Sequence, residues 1–424
     1  MTPLEQFDFT KVSEMCIKCG KCIPTCTIHQ INPDEVTSPR GFLELLGAYK
    51  RGELELDKNA KDIFESCFLC TNCVDVCPND LPVDMLIEQA RNEIRQKFGI
   101  VWYKKLAFFL LRNRKIMDIA AKFGWAFQSC AFKKDDKRKS MFLRDFPLIK
   151  YNRLFPSLAS KSFLNSHPDV IRNGGKQKVG IFIGCLGNYM YTDIGKSLLE
   201  ILKVLEIDAY LIKQQKCCGA PSYFTGDFDS VEALAKFNIE YIEGFVDELD
   251  AIIIPEATCC GMIKVDYAHF FHNKPDWKKR AEAISPHIYL ATEFLEKKTN
   301  LKEILAKKSK KNESITYHDP CHARKMLGVY KEPRELISQN YEIKEMSDPN
   351  QCCGFGGVTM QIEKFSNAQK AGEPKAKMIE KSGAKIVSAE CSACRMQIGN
   401  ALHVANVDTV FKNPIELIAQ ALKE

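Results

Sequence analysis

Short runs of β-branched and aliphatic residues recur through the C-terminal half of this 424-residue chain. The clearest span 179–183, 251–254 and 386–387, and helical stretches such as 228–249 and 363–381 lie between them. Brief apolar runs alternating with helical stretches predict parallel α/β units, because parallel strands need a helix-length crossover. Nearer the N-terminus, a helix is predicted over 41–49, after the break at Pro39. No run approaches the about 18 apolar residues needed to span a bilayer.

The α/β pattern is an internal repeat. One copy carries Cys185, then Cys217-Cys218-Gly219, then Cys259-Cys260; the other carries Cys321, Cys352-Cys353-Gly354, then Cys391-x-x-Cys394. Matching positions are offset by 136 (Cys185 to Cys321), 135 (Cys217 to Cys352) and 134 (Cys260 to Cys394), a drift too small for chance. By the last offset Ala257 stands where Cys391 stands in the second copy. The cysteines fall just past the predicted strands, where open α/β sheets collect ligands.

Cysteine is abundant elsewhere too, with 19 in all. Eight form two runs of C-x2-C-x2-C-x3-C: Cys16, Cys19, Cys22 and Cys26, then Cys67, Cys70, Cys73 and Cys77. This is the bacterial ferredoxin spacing for [4Fe–4S] clusters, in which the fourth cysteine of each run serves the other cluster. One metal set is then Cys16, Cys19, Cys22 and Cys77, and the other is Cys67, Cys70, Cys73 and Cys26. Pro78 follows Cys77 as the pattern expects, whereas Thr27 follows Cys26. Zinc knuckles are the bland alternative, but zinc favours paired C-x-x-C motifs.

The second repeat offers five thiols, Cys321, Cys352, Cys353, Cys391 and Cys394, as the candidate catalytic set. That exceeds a simple tetrahedral zinc site and suits a third iron–sulfur cluster with a spare or bridging cysteine. A redox-active dithiol or disulfide at the adjacent pair is the other chemistry open to it. In the first repeat Cys185, Cys217, Cys218 and Cys260 are the candidate cofactor ligands, with Cys259 as a substitute, and loading of that site is left open. His318 and His322 flank Cys321, as ligands or as loop-orienting groups. Lys325 and Arg395 are candidates to offset thiolate charge, and Cys130 is expected as a buried thiol.

Net charge is +6, but residues 91–153 hold 17 Lys+Arg against 5 Asp+Glu. Within it, basic residues interleave with Trp102, Phe108, Phe109, Trp125 and Phe127. Such a stretch either lies on an anionic membrane surface, with Lys104, Lys105, Arg112 and Arg114 facing lipid, or packs on the chain's own domains. Nucleic-acid binding is not expected, since the patch is local and no binding motif accompanies it. The first fifteen residues carry acids and no apolar h-region, so no secretory signal is expected. No G-x-G-x-x-G and no P-loop is present. Electron carriers without a hydride-handling cofactor imply that a partner subunit performs the substrate chemistry.

The predicted architecture is α+β and multidomain: an α-helical two-[4Fe–4S] ferredoxin-like domain (1–95), a basic aromatic helical connector (96–175), and two tandem α/β cysteine-rich domains (176–306 and 307–424). The order of Cys16–Cys26, Cys67–Pro78, the Cys-Cys-Gly pairs, His318-Asp-Pro-Cys-His322 and Glu390-Cys391-x-x-Cys394 resembles the iron–sulfur subunits of flavin-linked dehydrogenases. Anaerobic glycerol-3-phosphate dehydrogenase and glycolate oxidase are the nearest types, and heterodisulfide reductase shares the layout. The resemblance implies a peripheral protein on the cytoplasmic face of the inner membrane. There it would carry electrons from an FAD-containing partner toward the quinone pool. Ala257 leans away from the alternative, a disulfide-reducing enzyme acting at the second cysteine-rich site.

Overall fold

The computed structural model describes residues 9–135, 140–143 and 153–423. The first eight residues and part of the basic stretch (136–139 and 144–152) lie outside them.

The N-terminal region is helical. The predicted 41–49 helix is observed as Pro39–Lys50, with Pro39 in its first turn and the Ser38 hydroxyl accepting from Gly41 N at 2.9 Å, so the start is capped as proline and serine favour. Phe42, Leu46, Phe64, Leu86 and Ile87 form the core of this domain, and Cys352, Met360, Ala368 and Ala371 of the second repeat pack into the same core.

Two helices follow, Trp102–Arg112 and Arg114–Ala131. The connector does not stay helical: β1 (Phe132–Asp135), β2 (Ser140–Leu143) and β3 (Leu154–Pro156) form an antiparallel sheet. Leu154 N donates to Asn400 Oδ1 at 3.0 Å, which ties this sheet to the second repeat. Cys130 is exposed, not buried as expected. It falls on the same outer stripe of its helix as the exposed Ile119, Phe123 and Phe127, which the described chain leaves uncovered.

The repeats form two sheets. The first has strand order β4-β6-β5-β7-β8, from Val170–Ile171, Asp208–Leu211, Lys178–Ile181, Ala251–Ile254 and Ile288–Leu290. All its pairings are parallel except that of β4. The second, wholly parallel, has order β10-β9-β11-β12, from Glu342–Ile343, Ser314–Tyr317, Ile386–Ser388 and Val410–Lys412. Central strands are buried throughout, as both-face burial in parallel sheets requires. Both hydrophobic cores of this half mix residues of the two copies, such as Ile252 with Ile398 and Ile181 with Tyr317, so the repeats pack as one body.

Candidate metal centres

All nineteen cysteines are free thiols. In the N-terminal domain they gather in two groups. Cys16, Cys19 and Cys77 surround Cys22, and the four line one small cavity that Cys73 of the other group also reaches. Cys67 and Cys70 act on Cys26, and Cys26, Cys67 and Cys70 act on Cys73. Burial raises Cys22, Cys26, Cys73 and Cys67, the last to about 12. Thiols crowded in a dry site are disfavoured as thiolates unless a cation offsets them, and a metal centre supplies that charge. Thr27, the residue that departs from the proline pattern, sets its hydroxyl 3.6 Å from Cys70 Sγ.

The second repeat gathers its five cysteines past the ends of β9 and β11. Cys353 Sγ lies 3.3 Å from Cys394 Sγ, and Cys394 N donates to Cys391 Sγ at 3.5 Å. Hydrogen bonding with Cys352 and Cys394 holds Cys353 below an ordinary thiol, and Cys394 similarly lowers Cys391 to about 7. Burial keeps Cys321 high, at about 12.

His318 completes this group. Its Nδ1 pairs with Pro349 O at 3.1 Å, while Nε2 is buried without a hydrogen-bond partner. Ligating atoms of His318, Cys353 and Cys394 all lie within 4.8 Å of one another. An orphaned ring nitrogen beside clustered sulfurs is the donor set of a metal centre rather than of a packed core. His322 is placed differently: its Nδ1 is 3.4 Å from Cys321 Sγ and its ring lies against Phe224.

The first repeat joins Cys185, Cys217, Cys218 and Cys259 in one hydrogen-bonded row of thiols. Cys260, the match to Cys394 by offset, is not in it. Its thiol is fully buried, and the groups acting on it are Lys264, Glu293 and Glu390. Neighbouring residues of the helix Ala257–Gly261 face directions about 100° apart, so only one of the adjacent pair can face the row. At the vacated match to Cys391, Ala257 N donates to Glu390 O at 2.9 Å, and the next residue, Thr258, reaches Cys391 Sγ at 3.6 Å. Both Cys-Cys-Gly turns are built alike. Gly219 (φ 97°) and Gly354 (φ 86°) take the left-handed conformation and aim their N–H at the first sulfur of each pair, at 3.5 and 3.3 Å.

Electrostatic neighbours partly differ from expectation. Lys325 lies at the thiols, its ammonium on Cys70 O at 3.0 Å and on the Asn72 side chain. Arg395 does not offset thiolates. It pairs with Glu416 at 2.8 Å and stacks on Tyr191, because its helix carries it away from the Cys391–Cys394 turn. Lys375, which sequence patterning does not single out on a polar helix, is fully buried. Its Nζ donates to Asp348 O at 2.8 Å, and burial lowers it to about 8. Glu256 is likewise buried, accepts from Ser392 N at 2.8 Å and from the Ser392 hydroxyl, and is raised by burial to about 7.

The sites abut. Cys70 and Cys352 are hydrogen-bonded thiols, one from each half of the molecule. The second ferredoxin group thus touches the second cysteine-rich group, which in turn meets the first repeat through Thr258 and Cys391.

Two family models match this chain. A 4Fe-4S dicluster domain covers residues 12–81, and a cysteine-rich domain, CCG, covers 179–264 and 315–399. Lactate utilization protein A 2 of Bacillus cereus is 30% identical over 252 residues, which is 58% of this chain and all of that protein. The chain belongs to the CCG cysteine-rich iron–sulfur family. A probable glycolate oxidase iron-sulfur subunit of Bacillus subtilis is 28% identical over 82% of this chain and 80% of its own length. A fumarate reductase (CoM/CoB) subunit from Methanothermobacter marburgensis is 27% identical over 99% of this chain and 74% of its own. A crystal structure of a hypothetical protein from Helicobacter pylori shares the fold, with a TM-score of 0.55 at 11% identity over 98% of this chain and 77% of that one. This CCG member is an oxidoreductase component carrying multiple iron–sulfur clusters, and the thiol groups described above fit such centres by their chemistry.

Proposed function

We propose that this chain is the electron-transfer subunit of a flavin-dependent dehydrogenase, taking electrons from an FAD-containing partner and passing them toward the quinone pool. In this reading Cys16, Cys19, Cys22 and Cys77 hold one [4Fe–4S] cluster and Cys26, Cys67, Cys70 and Cys73 the other. Cys321, Cys352, Cys353, Cys391 and Cys394, with His318, hold a third centre. The names of the relatives favour a 2-hydroxyacid such as glycolate or lactate on the partner over glycerol 3-phosphate. The observation that carries the proposal is the Cys70–Cys352 junction, which makes the centres a continuous series. What the chain's own residues contribute is position and charge: Lys325 and Lys375 sit beside the thiols.

The test is stopped-flow reduction of the anaerobic, cluster-loaded chain by an FAD-containing 2-hydroxyacid dehydrogenase subunit, with EPR following each centre. Sequential reduction supports the proposal. Reduction of a disulfide by the chain alone, lost in Cys352→Ser, would replace it with a disulfide-reductase reading.

The connector supports attachment to an anionic membrane surface. No helix among the described residues is long and apolar enough to cross a membrane. Trp102, Phe123 and Phe127 are 75, 63 and 64% exposed, beside exposed Lys105, Arg112, Lys115 and Lys122. Lys104 plays no part in this, since it is buried against Glu363 and Thr359, both at 2.9 Å. Arg114 is also committed inward, donating to Lys213 O. Co-sedimentation with phosphatidylglycerol vesicles should fall with salt and with Glu at the four exposed basic positions. Binding indifferent to both would dismiss it.

A further inference from the structure

A cavity of about 260 Å³ lies where the connector meets both cysteine-rich repeats. Its floor is redox-capable: Cys185, Cys218 and Cys259 of the thiol row reach it, beside the Glu256 carboxyl and the Thr258 hydroxyl. Its walls are apolar. Phe108 and Leu111 come from the connector helix, Phe224 from the first repeat and Phe355 from the second, with Met190 and Met396 between them.

The lining selects the ligand's chemistry. None of the lining side chains is cationic, so carboxylate, phosphate or sulfonate groups would enter without a partner, at a high desolvation cost. Apolar walls also hold water poorly, and a space this size is far larger than one water needs. Flexible methionines and aromatic faces suit a flat, polarisable ring. The route of entry is visible as well. The helix Trp102–Arg112 gives Phe108 and Leu111 to the wall and Trp102, Leu106 and Phe109 to the exposed face. That exposed apolar face is thus about 10 Å from the cavity, one helix diameter.

We infer that this cavity binds the ring of a lipophilic quinone, admitted past the connector helix from the membrane. The inference rests on the quinone-directed reading above and names the site for it. The quinone would take two electrons, passed singly from the iron–sulfur centres as the partner's reduced flavin is oxidised. It would also take two protons, and leave as the quinol.

The test is equilibrium dialysis of the anaerobic, cluster-loaded full chain against 2,3-dimethyl-1,4-naphthoquinone, which has no open ring position for thiols to attack. One saturable site per chain is expected. Ala107→Trp and Val358→Phe fill the cavity from the connector helix and from the second repeat, outside the thiol groups. Each should weaken binding at least tenfold with iron content and EPR spectra unchanged. No binding, or binding indifferent to both variants while the clusters are intact, overturns the inference, even if the pre-reduced chain still reduces the quinone at another place. Cavity binding without reduction by the pre-reduced chain upholds the site and sinks the quinone-directed reading instead.

Discussion

The Lys325 ammonium donates to the carbonyl oxygen of Cys70 at 3.0 Å, across 255 residues of sequence. It also acts on the Cys321 thiol, so one cation serves two groups of thiols in different domains. A reduced centre is more negative than an oxidised one, and a nearby cation favours it. Lys325→Met should therefore lower the reduction potential of the adjoining centres by on the order of 50 mV, the scale of one half-screened charge. Lys325→Arg should restore most of it. Redox titration followed by EPR reads the shift, and identical potentials in Met and wild-type proteins would refute the role.

Cys259 and Cys260 make a sharper pair. Both are buried in one hydrophobic core, but Cys259 hydrogen-bonds into the thiol row and Cys260 faces Lys264, Glu293 and Glu390 instead. Metal held by the first repeat should follow Cys259: Cys259→Ser is expected to lower the iron or zinc content of the chain. Cys260→Ala should leave metal content unchanged and cost about 1 kcal/mol in stability, as a small core truncation does. Metal analysis beside thermal unfolding separates the two, and the reverse pattern would return the site to the assignment by offset.

That pair marks where the sequence stops being legible. The strands, the repeat and the groups of cysteines follow from local spacing, and β7 falls on the predicted 251–254. Spacing cannot say which of two adjacent cysteines faces a site, because one residue of helical phase decides it and an offset is blind to phase. Nor can it see that Lys104 turns inward, since Glu363 lies 259 residues away. The strand half of the connector was hidden for the same reason, being held by Asn400 and by Arg153 against Gln361. His318 was legible as a ligand or a loop-orienting group, but spacing could not choose between them, and it is the unpartnered Nε2 that favours the ligand.

Arg91 fixes the N-terminal domain to the first repeat. It is buried and donates to Phe64 O at 3.0 Å, Cys67 O at 2.7 Å and Phe224 O at 2.7 Å. On the far side Gly226 (φ 80°) lies so close that a Cβ would come within 2.4 Å of the Arg91 backbone. Arg91→Met leaves three carbonyls without this donor and should cost about 3–5 kcal/mol. Lysine should rescue little, because an ammonium lacks the planar fork. The expected readout is a lower Tm with early proteolysis near residue 100, and an unchanged Tm would show the interface is held otherwise.

Asp266 gives the interface a pH dependence. It is buried in the turn Met262–Asp266, facing Asp84 and Glu88 of the helix Val83–Phe98 and His322 of the second repeat. Burial pushes its carboxyl up to about 7; His322 opposes the shift and Asp84 adds to it. Burial raises Glu88 too, with Asp266 and Asp84 adding to it. An unfolded aspartate titrates near 3.9. Between these values the folded chain holds a proton that the unfolded chain has lost. Stability from this group is therefore full below about pH 4 and is lost as pH rises through about 7, a change on the order of 4 kcal/mol. Asp266→Asn keeps the shape and removes the titration. Its Tm relative to wild type should rise from pH 5 to about 7 and level off above that in anaerobic, cluster-loaded samples. Taking the difference cancels any pH dependence of the clusters themselves. Parallel curves for the two proteins would mean that Asp266 does not carry the proton.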